Sequence, residues 1–223
     1  MRSPRAKLLA ALAAGATLPL AFAPFDLYWI APLALAGLFL LWRGAAPRAA
    51  FRLGLAFGLG SFGFGVYWVY ISIHEYGEAH VLLAAGLTVG LITVLALFVA
   101  VTGSVAARWM HTDGWRAWIG GLPAVWVLTE WTRGWLFSGF GWLSLGYSQT
   151  ESWLFAYAPL LGVHGVGWIV VLLAGALCGV VAGDARVRRG SLLLAVLLVG
   201  GAALSLGRAW TRPHGGVHAV ALV

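Results

Sequence analysis

Charge is scarce in this chain. Only 9% of its 223 residues are Asp, Glu, Lys or Arg, against 61% hydrophobic residues, and the mean hydropathy is +0.91. A soluble domain of this size carries far more charge on its surface, so water is excluded as the solvent for most of the chain. Cysteine is almost absent too, and the single Cys178 excludes an internal disulfide. Lysine occurs once, at Lys7. No apolar run keeps a period of two, which excludes membrane β-strands and leaves helices as the spanning element. No internal repeat is visible, so an inverted-repeat transporter gains no support.

What the chain does have is long apolar runs, rich in Leu, Ala and Gly. Seven can be marked: Leu8–Phe22, Leu27–Trp42, Leu53–Ser72, Val81–Ala107, Trp118–Phe137, Leu160–Ala182 and Ser191–Leu206. They predict an all-α membrane helix bundle of about seven transmembrane helices. The first, second and last are short for a full crossing of roughly 30 Å and must lean on their flanks or on local thinning of the bilayer. Pro24, Phe25 and Asp26 make a tight turn that predicts an antiparallel hairpin of the first two helices. Gly54-x-x-x-Gly58 is a small-xxx-small pair, expected to serve close helix packing.

The net charge of +7 is explained by topology better than by nucleic-acid binding. With the N-terminus in the cytoplasm, the inner segments hold Arg2, Arg5, Lys7, Arg43, Arg48, Arg52, Arg108, Arg116, Arg186, Arg188 and Arg189, eleven of the 14 basic residues. Only Arg133, Arg208 and Arg212 fall outside, a strong positive-inside asymmetry. Ala21-Phe22-Ala23 resembles a signal-peptide cleavage site, but Pro24 directly after the cut disfavours cleavage.

The most informative stretch, Thr129 to Tyr157, then lies at the outer face. Glu130 and Arg133 are three apart and share a helix face. Two readings stand: an interfacial ion pair that fixes a helix end, or an arginine that meets a lipid phosphate while the glutamate orients it. Trp131, Trp135, Trp142, Trp153, Tyr147 and Tyr157 crowd the same stretch. An aromatic belt accounts for the rings but not for Gly139 and Gly141 around Phe140. Those glycines predict a bent loop dipping back towards the membrane and lining a lipid access site, with Gln149 as a polar contact above it.

The remaining polar residues offer little chemistry. His74, Glu75, Glu78 and His80 match no compact metal-ligand motif and read as a solvated loop. His164 reads as a satisfied packing histidine. Cys178 sits within an apolar run, where a thiolate is disfavoured. No nucleophile, base and orienting group share one face. After Leu206 the chain turns polar, and Val217–Val223 reads as a strand without a partner, so a further domain is expected to follow.

The Ala23-Pro24-Phe25 turn, Tyr67-Trp68-Val69, the Thr129-Glu130-Trp131 to Arg133 segment, Gly139-Phe140-Gly141-Trp142 and Gly146-Tyr147-Ser148-Gln149 together resemble the bacterial apolipoprotein N-acyltransferase family. The ending from His218 to Val223 looks like the first strand of that family's nitrilase-like domain. The resemblance implies residues 1–207 as a transmembrane bundle and 208–223 as a linker and first strand of a truncated periplasmic nitrilase-like α/β domain. It implies acyl transfer from a phospholipid donor to the α-amino group of a diacylglyceryl-cysteine on a lipoprotein acceptor, by a monomer of the bacterial inner membrane, without cofactor, metal or nucleic acid. The family's Glu–Lys–Cys triad belongs to the nitrilase-like domain, so no catalytic residue is assigned here. Gly139 and Trp142 match a loop implicated in substrate access, with Glu130, Arg133, Tyr147 and Gln149 as further lipid-binding candidates. Gly141 departs from the family pattern, where a proline is expected, and leaves the loop more flexible. The alternative is a non-enzymatic multi-pass protein, either a small-solute transporter or a lipid-binding scaffold.

Overall fold

In hydrocarbon every backbone polar group must be satisfied inside its own segment, and the apolar runs accordingly form helices. The structure, a computed structural model, describes residues 3–109 and 115–205. Among these there are eight α-helices and no strand. The linker and the strand expected over 217–223 lie outside the described residues.

Helix α1 (Pro4–Thr17) starts at Ser3, whose Oγ accepts the Ala6 N–H at 3.2 Å, with Pro4 in the first turn. It runs into a 3₁₀ turn (Leu18–Ala21) and then a tight reversal, in which the N–H groups of Phe25 and Asp26 both donate to the Phe22 carbonyl. Helix α2 (Ile30–Trp42) returns against α1, so the expected hairpin is present. Helix α3 (Pro47–Gly65) breaks at Val66 and Tyr67, and the chain resumes at a 48° bend as α4 (Trp68–Ile71) with a π-turn (Ser72–Tyr76). Helix α5 (Val81–Trp109) is the longest, at 29 residues. Helix α6 (Leu122–Arg133) continues from a π-turn (Ala117–Gly121). Helices α7 (Ala158–Ala182) and α8 (Ala185–Ser205) form a second antiparallel pair.

Among the described residues, three helical segments are long and apolar enough to cross a membrane: Val81–Trp109, Trp153–Ala182 and Ala185–Leu204. A fourth is added if α3 and the bent α4 segment count as one span. Helices α1, α2 and α6 have 14, 13 and 12 residues, or about 18–21 Å, short of the hydrocarbon thickness by themselves.

Packing centres on α3, which is held between α1 and α5. A methyl group added at Gly54 would stand 2.6 Å from the Val99 carbonyl oxygen, and one at Gly58 would stand 2.6 Å from Ala96 Cα. On the opposite side, Gly60 lies against the backbone of α1 at Leu12, and Gly15 of α1 against the backbone of α3 at Phe57. Backbone therefore touches backbone on both flanks of α3, as the Gly54-x-x-x-Gly58 spacing led one to expect. Cys178 is fully buried between α7 and α2, with Sγ 3.5 Å from the Ala36 carbonyl oxygen.

The glycine seam gives a direct test. Gly58→Leu should destabilise the bundle by about 1–3 kcal/mol or prevent folding, because no side chain can yield at that contact. Gly63→Ala, where nothing lies within 4 Å, should leave the melting temperature in detergent unchanged or raise it. Equal melting temperatures for both variants would contradict the packing described.

Candidate functional site

A charged side chain in a bundle of this composition must find partners within the protein. Glu130 and Arg133 do so at the C-terminal end of α6. Both are buried, with 7% and 5% of their surfaces exposed, and Arg133 Nη2 stands 3.7 Å from Glu130 Oε1. The helix stops one residue later, where the Gly134 N–H turns back to the carbonyls of Glu130 and Trp131.

The chain then makes a loop that returns to the helix end it has just left. Phe137, Ser138 and Gly139 are all left-handed, with φ of 54°, 72° and 77°. Only at Gly139 would a side chain also collide, since a Cβ there would meet the Gly134 carbonyl. The Phe140 N–H donates to the Arg133 carbonyl at 3.0 Å. From the other side, Arg133 Nη1 donates to the carbonyls of Phe140 at 2.7 Å and Trp142 at 2.6 Å, and Nη2 to Ser144 Oγ at 3.4 Å. The same guanidinium lies over the Phe62 ring, 5.4 Å from its centroid. Glu130 contributes the last tie: its Oε1 accepts the Leu145 N–H at 2.9 Å. Its Oε2 finds no donor among the described residues and packs toward Gly167 of α7. One arginine and one glutamate thus fix residues 140–145 in place.

Trp142 links this loop to the break in α3. Where α3 ends, the Val69 N–H bonds to Val66, so the Gly65 carbonyl is left without its usual helical donor. Trp142 Nε1 supplies it at 3.0 Å, while its ring packs against Trp68 at 5.0 Å between centroids. Half of Trp142 stays exposed, as does Tyr147. Next to it, Leu143 and Leu145 roof a narrow cleft whose walls include Phe57, Phe62, Trp126 and the Glu130–Arg133 pair. Gln149 faces the other way. It is buried, with Nε2 donating to the Tyr28 carbonyl at 3.2 Å and Oε1 accepting from Ser152 Oγ at 2.7 Å.

The structure therefore gathers Glu130, Arg133, Gly139 and Trp142 into one assembly, leaves Tyr147 exposed on the next 3₁₀ turn (Leu145–Gln149), and puts Gln149 at a seam with the α1–α2 hairpin. Sequence reasoning missed four participants: Phe62 under the guanidinium, Gly65 at the helix break, Trp68 against Trp142, and Ser144. Of these only Trp68 carried a signal, in Tyr67-Trp68-Val69. His164 corrects an expectation, for its Nδ1 is buried without a hydrogen-bond partner among the described residues.

Residues 14–176 match the family model described as the apolipoprotein N-acyltransferase N-terminal domain. Among curated proteins, the chain is similar to the apolipoprotein N-acyltransferase of Methylococcus capsulatus, at 46% identity over 211 residues, which is 93% of this chain and 41% of that protein. It is similar to that of Azotobacter vinelandii at 43% identity, with 96% of this chain and 42% of the relative covered. For the one from Coxiella burnetii the identity is 45% over 74% of this chain and 34% of the relative. The chain spans about two-fifths of the length of the Methylococcus and Azotobacter proteins.

Removing one partner from the buried pair leaves the other uncompensated. Arg133→Met is expected to destabilise the protein by about 3–5 kcal/mol, read as a lowered melting temperature in detergent. Adding Glu130→Gln should restore only part of the loss, because the Phe140 and Trp142 carbonyls still lack their donor. An Arg133→Met variant that melts like the wild type would contradict the clamp.

Proposed function

The chain belongs to the apolipoprotein N-acyltransferase family through its N-terminal domain, and from that premise we propose that it is the membrane portion of an enzyme moving an acyl chain from phospholipid to lipoprotein. The acceptor is the α-amino group of a diacylglyceryl-cysteine. The chemistry belongs to a Glu–Lys–Cys triad in a nitrilase-like domain. The cysteine attacks the phospholipid ester to form a thioester, the lysophospholipid leaves, and the acceptor amine then takes the acyl group. Cys178, buried against α2, plays no part in this step.

In this reading residues 1–207 are embedded as a monomer in the bacterial inner membrane, and all seven apolar runs cross, with the N-terminus cytoplasmic. Two features support it. Eleven basic residues fall on one side. Short α6 is also lengthened by its π-turn, so that residues 115–133 form continuous helix of roughly 28 Å.

The observation that carries the site is the Arg133 clamp. It spends the guanidinium on loop carbonyls and thereby holds the half-exposed Trp142 beside an apolar cleft. Trp142 and Tyr147 are then the groups that touch lipid. Gly139, Glu130 and Arg133 hold the loop that carries Trp142, and Gln149 ties the 3₁₀ turn that carries Tyr147 to the α1–α2 hairpin. An acyl chain sliding past Trp142 would be guided towards the catalytic domain at the membrane surface.

In the intact enzyme, Trp142→Ala should insert normally yet lose roughly tenfold to a hundredfold in acyl transfer, measured on a lipoprotein peptide in proteoliposomes. Trp142→Phe keeps a ring against Trp68 but not the bond to Gly65, and should fall between. Full turnover by Trp142→Ala would remove the loop from the mechanism.

A further inference from the structure

Apart from the cleft under Leu143 and Leu145, helices α2, α7 and α8 leave an open groove between them. Its walls are hydrocarbon: Trp29 and Leu33 of α2, Leu173 and Leu177 of α7, Leu192 and Ala195 of α8. The α7 residues repeat on one helical face, and so do those of α8. The groove runs for about 10 Å along α7. Two of the three helices that form it are candidate membrane spans, so in a bilayer it faces hydrocarbon rather than water.

The charge at its end makes it more than a lipid-facing crease. Arg188 lies one turn below Leu192 and shares the face that carries Leu192 and Ala195, with Arg189 beside it. Both arginines are exposed, and among the described residues neither pairs with a carboxylate. Asp184, the nearest acid in sequence, uses its carboxylate to accept the Val187 N–H at 2.8 Å and so caps α8. A hydrocarbon channel that opens onto two unpaired guanidinium groups has the chemistry of one phospholipid: an acyl chain in the groove and a phosphate at its end.

We propose that the α2–α7–α8 groove binds one anionic phospholipid, its chain along Leu173 and Leu177 and its headgroup on Arg188 and Arg189. The site is separate from the Trp142 loop and takes a resident lipid rather than the acyl donor. It rests only on the chain being embedded in a membrane, so its failure would leave the acyltransferase reading untouched.

The test is native mass spectrometry of the delipidated full chain, titrated with phosphatidylglycerol or phosphatidylcholine of identical acyl chains. Wild type should retain phosphatidylglycerol roughly thirtyfold more tightly, the preference expected of two arginines near an anionic headgroup. Arg188→Gln with Arg189→Gln should reduce that ratio to near one, whereas Arg188→Lys with Arg189→Lys should largely keep it. Arg48→Gln with Arg52→Gln, on α3 and away from the groove, should leave it unchanged. Ala195→Phe, which fills the groove, should weaken both lipids alike, and inorganic phosphate should displace neither. Equal retention of the two lipids by wild type would overturn the proposal. So would a preference that survives the double Gln variant, or displacement by free phosphate.

Discussion

The loop that follows α6 depends on burying one ion pair in an apolar bundle. Glu130 and Arg133 sit where charge is costly, and the cost is offset by their mutual attraction and by the loop groups that bond to Oε1 and to both Nη atoms, with Oε2 alone left without a donor among the described residues. Their partners are backbone groups of a single loop, so satisfying the pair and shaping the loop are one event. The three left-handed residues that turn the chain back, two of them not glycine, are held by the same interaction. Remove the guanidinium, and both the turn and the carbonyls it displays lose their reason to stay in place.

The glycines of α3 perform the complementary task. By letting α1 and α5 approach its backbone, they lock α3 in place, and from it the Phe62 ring reaches under Arg133. Where α3 ends, the break at Val66 frees a carbonyl that Trp142 takes up. The half-exposed Trp142 is therefore anchored at two points: through its carbonyl to α6 and through its indole N–H to α3. This double attachment explains why a loop rich in glycine can still present a defined surface.

Much of this was legible in the sequence. The apolar runs fixed helices, the Pro24 turn fixed the first hairpin, and the three-residue spacing placed Glu130 beside Arg133. The glycines around Phe140 announced a bent loop. What stayed hidden depends on contacts distant in sequence. Nothing near Gln149 points to Tyr28, which lies 121 residues earlier. The run Leu53–Ser72 looked continuous because its residues are apolar throughout, yet it breaks at Val66 and Tyr67, where no proline marks the spot. Helix α8 begins at Ala185 rather than near Ser191, since arginines are good helix formers and hydropathy alone sets the boundary too late. Among the described residues three or four segments reach full spanning length by themselves, because hydropathy marks an apolar run without fixing where its helix begins, breaks or ends.

The central claim is that Arg133 holds the loop, and hydrogen exchange in nanodiscs tests it most directly in the Arg133→Lys variant. Lysine keeps the charge beside Glu130 but lacks the planar fork that reaches two carbonyls at once. Amides over residues 136–149 should lose about tenfold or more of their protection, while those of α3 and α5 remain as in the wild type. Unchanged protection of the loop, or an equal loss throughout the bundle, would contradict the account.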